Sequence, residues 1–210
     1  MKVSETKRES MTIILAGYKE EIMQLLTYNP GFPSRFPKDL TFEFPDYTES
    51  QLRKIFIDMV KSRNFILQSK KDCGVSIAKV VAQRLAKGTG RKGFGNGREV
   101  RVRLEKFIIR QSERLGALEL FNRPISSHDY AVLTRSDTIG DRPDFGNSPV
   151  MKELGALIGL EKVKEAMRGL MQLQLQNYDN EISGERVQYI SLHRVFVGNS
   201  GTGECVLCVC

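Results

Sequence analysis

A regular helical pattern fills the middle of the chain and limits the fold more than any other sequence feature. Thr48 and Gln51 have the spacing of a capping box, in which the two residues satisfy each other's backbone N–H groups at a helix start. The apolar residues that follow recur on one helical face, at Leu52, Ile55, Phe56, Met59 and Val60. The pattern predicts an amphipathic helix that packs one side into a core.

Three further helices are predicted after the first. One runs from Val75 to Lys87, with Gly88 as its C-cap. The next begins after Asn96, which is predicted to form a capping box with Glu99, and its buried face comprises Val100, Leu104, Phe107, Ile108 and Leu115. A short helix over Ser127–Leu133 completes a predicted four-helix unit.

Short apolar runs near both ends are typical of buried parallel strands. Thr12–Ala16 and Arg194–Val197 are rich in β-branched or aromatic residues and are followed by glycine or a glycine-rich segment. We therefore predict a strand in each of the two runs.

A glycine-rich segment follows the second apolar run. Residues 198–203 have the glycine spacing of a phosphate-binding loop, in which backbone N–H groups surround phosphate oxygens. Glu204 stands where such a loop has the lysine that contacts phosphate, and Cys205 stands where it has the hydroxyl that binds Mg²⁺. Reversing a charge about 4 Å from phosphate changes the interaction by several kcal/mol. A glycine-rich turn without a ligand is therefore the alternative.

Composition excludes several classes of protein. The chain has 210 residues, 32 Lys and Arg against 25 Asp and Glu, and an ordinary apolar fraction of 40%. Apolar runs fall well short of the roughly 20 residues of a membrane helix, and the first ten residues lack the apolar stretch of a secretory signal. We expect a cytoplasmic protein with no membrane partner. The pair Cys205 and Cys208 has no second ligand pair nearby, so no metal site is predicted.

Basic residues concentrate around the start of the third predicted helix. They do not share one helical face and no aromatic residues alternate with them, so nucleic-acid binding is not the preferred interpretation. Arg98 lies at the helix N-terminus, where a phosphate is favoured. Arg35, in the turn NPGFPSRF, is a candidate arginine finger, with a merely solvated arginine as the alternative.

Two stretches resemble the AAA+ ATPases grouped with red-type Rubisco activases and stage V sporulation protein K. The first contains IILAGYK, NPGFPSRF, FEFPDYT and FGNGREVR, in that order, and resembles the sensor-1 strand, arginine-finger turn, lid start and sensor-2 helix. The second contains MKELGALIGLEKVKEAMRGLMQLQLQNY and LHRVFVGNSGTG, and resembles the N-terminal helix and nucleotide loop of another module. The resemblance implies partial α/β P-loop modules with an all-α helical lid, mostly helical overall. Because the loop-bearing strand lies beside the sensor-1 strand in the family's sheet, the resemblance also implies a permuted half-sheet of Thr12–Ala16 and Arg194–Val197, with Leu40–Phe44 as a third strand. Two separate, incomplete halves on either side of the helical unit are the alternative.

The resemblance also implies domain boundaries. These are the C-terminal part of a first AAA+ core at 1–45, a helical lid at 46–135, a linker at 136–148, and the N-terminal part of a second core at 149–210, which ends in a degenerate Walker A loop.

Site residues are carried over from the family position by position. Arg35 matches the arginine finger, and Arg98 matches the sensor-2 arginine, with Arg101 as the fallback. Ile158 and Gly159 match the segment near the adenine. The phosphate loop corresponds to Gly198, Asn199, Ser200, Gly201, Thr202, Gly203, Glu204 and Cys205, of which the last two depart from the family pattern. The implied cofactor is ATP, with Mg²⁺ in the parent family.

The function implied by the resemblance is ATP-driven remodelling of protein partners by a ring of AAA+ subunits. The chain itself is expected to be a fragment of a tandem ATPase and to hydrolyse little ATP, because the Walker B acids of both modules lie outside this sequence and Glu204 opposes phosphate binding. The alternative is a non-catalytic module that docks on related AAA+ subunits and regulates them. A basic nucleic-acid binder is a weaker alternative.

Overall fold

Two compact units make up the chain, residues 1–45 and residues 46–210. The computed structural model describes residues 12–28, 31, 35–68, 76–193 and 195. In the first unit, helix α1 spans Lys19–Tyr28 and a 3-10 turn spans Lys38–Leu40.

The two segments of the first unit that were predicted as strands are not strands. Residues 12–16 have no regular structure, and residues 41–44 follow the 3-10 turn as irregular chain. Ile14, Phe42 and Phe44 are 84%, 78% and 93% exposed, whereas a parallel strand needs hydrogen-bonded neighbours and cover on both faces. The permuted half-sheet is therefore wrong for these segments, and all of Arg194–Val197 except Val195 lies outside the described residues.

The second unit is helical, as predicted for a lid. Its elements are α2 (Glu49–Ser62), β1 (Ile66–Leu67), α3 (Ile77–Ala86), α4 (Gly97–Leu120), α5 (Ser127–Ala131), β2 (Val132–Leu133), α6 (Arg135–Thr138), α7 (Pro149–Ala156) and α8 (Glu161–Ser183). The chain is mostly helical, with a two-stranded parallel sheet among its described residues.

The core of this unit forms where α2, α3 and α4 meet. The predicted apolar stripes are confirmed, since the buried side chains include Leu52, Phe56, Val60, Ile77, Val80, Val81, Leu85, Val100, Leu104 and Phe107. Phe56 and Phe107 pack edge to face with ring centroids 6.1 Å apart, a favourable arrangement for two aromatic quadrupoles. Burial of these stripes fixes which face of each helix is exposed.

The capping box at the start of α2 is confirmed. The Thr48 backbone N–H donates to Gln51 Oε1 at 2.9 Å, and the Gln51 N–H donates to Thr48 Oγ1 at 3.4 Å. The box starts the helix at Glu49, as the sequence predicted.

The short helix predicted over Ser127–Leu133 ends two residues early. Helix α5 stops at Ala131, and Val132 and Leu133 pair in parallel with Ile66 and Leu67 of β1. The Gln111 side-chain amide donates to the carbonyls of Asp129, Tyr130 and Val132, at 3.2, 3.1 and 2.8 Å. These bonds satisfy carbonyls that a longer helix would have to pair with its own N–H groups.

Residues 136–139, predicted as the start of a linker, lie in the folded body. Thr134 caps α6 in a box with Asp137, and Asp137, Thr138 and Ile139 are buried. Asp137 is 2% exposed and accepts two bonds from the Arg114 guanidinium, at 2.8 and 3.0 Å. This pair joins α6 to α4.

Gly88 is required for packing rather than for ending a helix. Helix α3 ends at Ala86 with Lys87 as its C-cap, in a right-handed conformation, so the predicted C-cap at Gly88 is wrong. A Cβ at Gly88 would lie 2.7 Å from the ring of Phe94, which packs against the core.

Substituting Gly88 by alanine should lower the free energy of unfolding by about 1–3 kcal/mol, because the Phe94 ring must move. Gly116 in α4 is the matched control, since a Cβ there meets nothing within 4 Å, and Gly116→Ala should stabilise the protein by about 0.5–1 kcal/mol. Urea unfolding of both variants measures the difference. Equal effects at the two positions would contradict the packing role of Gly88.

Candidate functional site

The loop between α3 and α4 is held against the start of α2 by two side chains. Asp46 accepts from the Gly90 backbone N–H at 2.8 Å and from Asn96 Nδ2 at 2.6 Å. The Asn96 side-chain oxygen in turn accepts from the Tyr47 backbone N–H at 2.9 Å. The hydrogen bond from the Asn96 amide, and to a smaller extent the one from the Gly90 N–H, holds the pKa of Asp46 below its usual range. The loop is therefore fixed at both of its ends.

This network changes the role predicted for Asn96. The residue is the N-cap of α4, but its φ is +45° and its side chain makes no capping bond, so the predicted box with Glu99 is absent. The reason is that both polar atoms of the side chain are already bonded to Asp46 and Tyr47. The first turn of this 24-residue helix is therefore not capped by the side chain at its N-cap.

Arg98 is the second residue of α4 and is exposed. A helix N-terminus carries a partial positive charge and unpaired N–H groups, and the guanidinium adds a full charge beside them. Arg101, the fallback, is also exposed and lies about one turn further along the helix. The N-terminus of α4 therefore has the positive charge that anion binding requires.

Arg35 lies in the first unit, whereas Arg98 belongs to the second. Its Nη1 donates to the carbonyl of Gly31, four residues earlier in the chain, at 2.9 Å. This bond fixes the orientation of the guanidinium relative to Gly31.

Ile158 and Gly159 lie together in the short turn between α7 and α8. Ile158 is fully exposed, and Gly159 and Leu160 have φ values of +74° and +61°. Lys164 holds this turn, because its buried ammonium donates to the Leu157 carbonyl at 2.7 Å and lies 3.3 Å from Glu161 Oε1. No hydrogen bond or ion pair within the described part of the chain joins this turn to Arg98.

Residues 198–205, the predicted phosphate loop, lie outside the described residues. Within the part that is described, no three His, Cys, Asp or Glu side chains are grouped as a metal site. None of the helices described there combines the length and hydrophobicity that crossing a bilayer requires.

The sequence did not reveal the structural roles of three residues that shape these features. Asp46 and Asn96 fix the loop before Arg98, and Lys164 fixes the turn that carries Ile158. Lys164 is not apolar, so the apolar periodicity of its helix does not mark it as a buried residue. For Asp46 the only available signal is its place two residues before the cap Thr48.

Comparison with known proteins identifies the second unit. The model of the AAA lid domain matches residues 48–148. Stage V sporulation protein K of Bacillus subtilis is 36% identical over 115 residues, which are 55% of this chain and 34% of that protein. Protein CfxQ of Xanthobacter flavus is 32% identical over 115 residues, 55% of this chain and 34% of its own. The chloroplastic ribulose bisphosphate carboxylase/oxygenase activase of Cyanidioschyzon merolae is 28% identical over 142 residues, 68% and 45% of the two chains.

The second unit is therefore built on an AAA lid domain, the helical domain of AAA+ ATPases. The match covers about half of the chain. Residues 48–148 therefore belong to the AAA lid domain family, and over about half of its length the chain is similar to stage V sporulation protein K and the CfxQ proteins. The chain spans between a third and a half of the length of these three relatives.

Proposed function

We propose that this chain supplies the lid and sensor segment of an AAA+ ATPase, and that Arg98 contacts the phosphates of ATP in that enzyme. The observation that carries the proposal is the start of α4, where Asn96 is diverted to Asp46 and Tyr47 and does not cap the helix. The Arg98 backbone N–H already donates to the Gly95 carbonyl at 2.8 Å, so the exposed Arg98 guanidinium at the positive end of the helix is the group that would contact an anionic ligand.

The turn between α7 and α8 supports a second nucleotide contact. Ile158 is fully exposed and stands on a turn that Lys164 holds in place. An exposed isoleucine beside a glycine with positive φ offers an apolar surface for the flat face of a purine. In the proposed tandem arrangement, Ile158 and Gly159 contact the adenine of the next module, whose phosphate loop begins at Gly198.

Ring assembly with other AAA+ subunits is part of the proposal. Arg35 would act on ATP bound by a neighbouring subunit, since a finger neutralises phosphate charge from outside its own module. Its bond to the Gly31 carbonyl orients the guanidinium before assembly. ATP and Mg²⁺ would bind at sites that such a ring completes. The assembled ring would bind the protein that it remodels.

Binding of inorganic triphosphate to the whole chain tests the role of Arg98. Arg98→Ala should weaken binding about tenfold or more, because it removes a charge-assisted hydrogen bond at the helix terminus. Arg110→Ala is the control, since Arg110 is equally exposed but lies more than three turns further along α4. The measurement is an NMR titration that follows the amides of Gly97–Glu99. Similar losses in both variants would show that only the general positive charge of the chain matters.

A regulatory docking module is the second candidate. The exposed apolar side chains of the first unit favour it, because Ile14, Phe42 and Phe44 are almost entirely accessible. In this function the chain binds an intact AAA+ subunit and changes its activity without retaining nucleotide. Mixing the chain with a purified single-module relative and measuring ATP turnover separates the candidates, since a docking module changes the relative's rate even when Arg98 is alanine.

A further inference from the structure

Helix α8 lies outside the residues that match the lid domain, yet a bidentate ion pair joins it to the lid. Arg84 of α3 donates from Nε and Nη2 to the two carboxylate oxygens of Glu181, at 3.0 and 2.6 Å. Its remaining Nη1 donates to the Ile139 carbonyl at 2.7 Å. One guanidinium therefore binds three segments of the chain together.

This pair is largely buried, like Arg114–Asp137 and unlike the exposed Arg142–Asp179 pair on the same helix. Glu181 is 8% exposed, and the Arg84 side chain is 34% exposed. A carboxylate removed from water to this degree needs its cationic partner, because an unpaired buried charge is strongly unfavourable. The planar guanidinium also fixes the relative direction of the two groups, which a lysine would not do.

Further contacts from the same end of α8 reach the segment that follows α6. The Tyr178 hydroxyl donates to the Gly140 carbonyl at 2.7 Å, and Tyr178 and Ile182 pack against the hydrophobic core. Arg142 makes a second bidentate pair, with Asp179, at 3.0 and 2.9 Å, but both of its side chains are more than half exposed. The last two turns of α8 are therefore attached by apolar and polar contacts together.

The chain that leaves α8 turns back and is held along the helix. Gly184 ends the helix with a φ of +78°. Asn177 then exchanges two hydrogen bonds with the backbone of Gln188, donating to its carbonyl at 2.9 Å and accepting from its N–H at 2.8 Å. The direction of the segment after Gly184 therefore depends on where α8 lies.

We propose that α8 is a coupling arm, joined to the lid by Arg84 and Glu181, so that the position of the lid sets the position of the segment running toward Gly198. This proposal rests on the proposed function in one respect, since it takes the segment after α8 to lead into a phosphate loop. Arg84 is a positioning residue, since it acts on the nucleotide segment through Glu181 and Asn177. A displacement of α3 is transmitted to α8 because the ion pair, the Tyr178 bond and the Ile182 contact move together.

Hydrogen exchange on the whole chain, followed by NMR or mass spectrometry, tests the coupling arm. Glu181→Gln keeps the size of the side chain and removes its charge, and it leaves the residues of α2, α3 and α4 unchanged. Exchange at Gln188 and over residues 177–183 should become about tenfold faster or more, while α4 amides stay within about twofold of the parent. Arg84→Lys should give an intermediate increase, because the charge stays and the bidentate geometry is lost.

Arg142→Ala is the matched control, because the Arg142–Asp179 pair involves the same helix but is exposed. It should accelerate exchange in α8 less than threefold or so. The double change Arg84→Glu with Glu181→Arg should recover part of the lost protection. Unchanged exchange at Gln188 in Glu181→Gln would overturn the proposal, and so would equal acceleration in α4 and α8. The measurement needs no nucleotide, so its failure is separate from a failure of the Arg98 titration.

Discussion

Purified chain incubated with ATP and Mg²⁺ should release no more phosphate than a protein-free blank. The reason is the chemistry of two positions, since Glu204 places an anion and Cys205 a thiol where a phosphate loop has lysine and a hydroxyl. A like-charge contact about 4 Å from phosphate costs about 4 kcal/mol at an effective dielectric near 20, which corresponds to roughly a thousandfold in affinity. A thiol is also a poor ligand for the hard Mg²⁺ ion. A sensitive phosphate-release assay and calorimetry with ATP measure both consequences.

The double variant Glu204→Lys with Cys205→Thr provides the positive control for this expectation. It should bind ATP measurably tighter than the parent in the presence of Mg²⁺, because it restores the cation and the hydroxyl of the loop. We do not expect the variant to regain hydrolysis, because binding of ATP and activation of the attacking water are separate requirements. Tight, metal-dependent ATP binding by the unaltered chain would refute the role assigned to Glu204.

Replacing Asp137 by alanine should lower the free energy of unfolding by about 3–5 kcal/mol. Asp137 is 2% exposed, accepts both bonds of the Arg114 guanidinium, and also accepts from the Thr134 backbone N–H at 2.8 Å. Its loss leaves the partly buried Arg114 without a counter-charge and removes the half of the α6 capping box that satisfies the Thr134 N–H. The hydrogen bond to Asp137 raises the pKa of Arg114. An arginine is charged at neutral pH even without such a partner, so Asp137→Ala leaves a cation without its counter-charge. Urea denaturation at neutral pH measures the change.

Glu105→Ala is the control for the buried pair. Glu105 lies 3.3 Å from Arg63, and the two side chains are 50% and 38% exposed. A solvated pair of this kind contributes about 0–1 kcal/mol, so the variant should unfold almost as the parent does. If Asp137→Ala and Glu105→Ala cost the same, burial of Asp137 does not contribute to its stabilising effect.

The helices of the lid were predictable because their signals are local. The box of Thr48 and Gln51 and the apolar stripe after it fix the start and the buried face of α2 within a dozen residues. Gly88 and Asn96 were assigned the wrong roles for the opposite reason. The role of Gly88 depends on Phe94 in the following loop, and the role of Asn96 depends on Asp46, which is distant in sequence.

The predicted strands of the first unit failed on a physical ground. An apolar run has strand propensity, but strand formation needs a neighbour that supplies hydrogen bonds, and residues 12–16 and 41–44 have none that forms a ladder among the described residues. For the candidate site, the sequence pattern placed Arg98 at the start of a helix, where the structure also has it. It could not show that a loop tether, rather than a cap, determines how that end is exposed.

The parallel pairing of β1 with β2 has a consequence for how the protein is made. Ile66 and Leu67 meet partners that lie 66 residues later in the chain, and Gln68 adds bonds to the Leu133 carbonyl and the Arg135 N–H. During synthesis, α2 and α3 emerge well before this closure is possible. Ordering so long an intervening segment is entropically costly and is repaid only once the distant contacts exist. The core of the nascent lid can therefore be completed only after Leu133 and Ile139, which are buried in it, have left the ribosome.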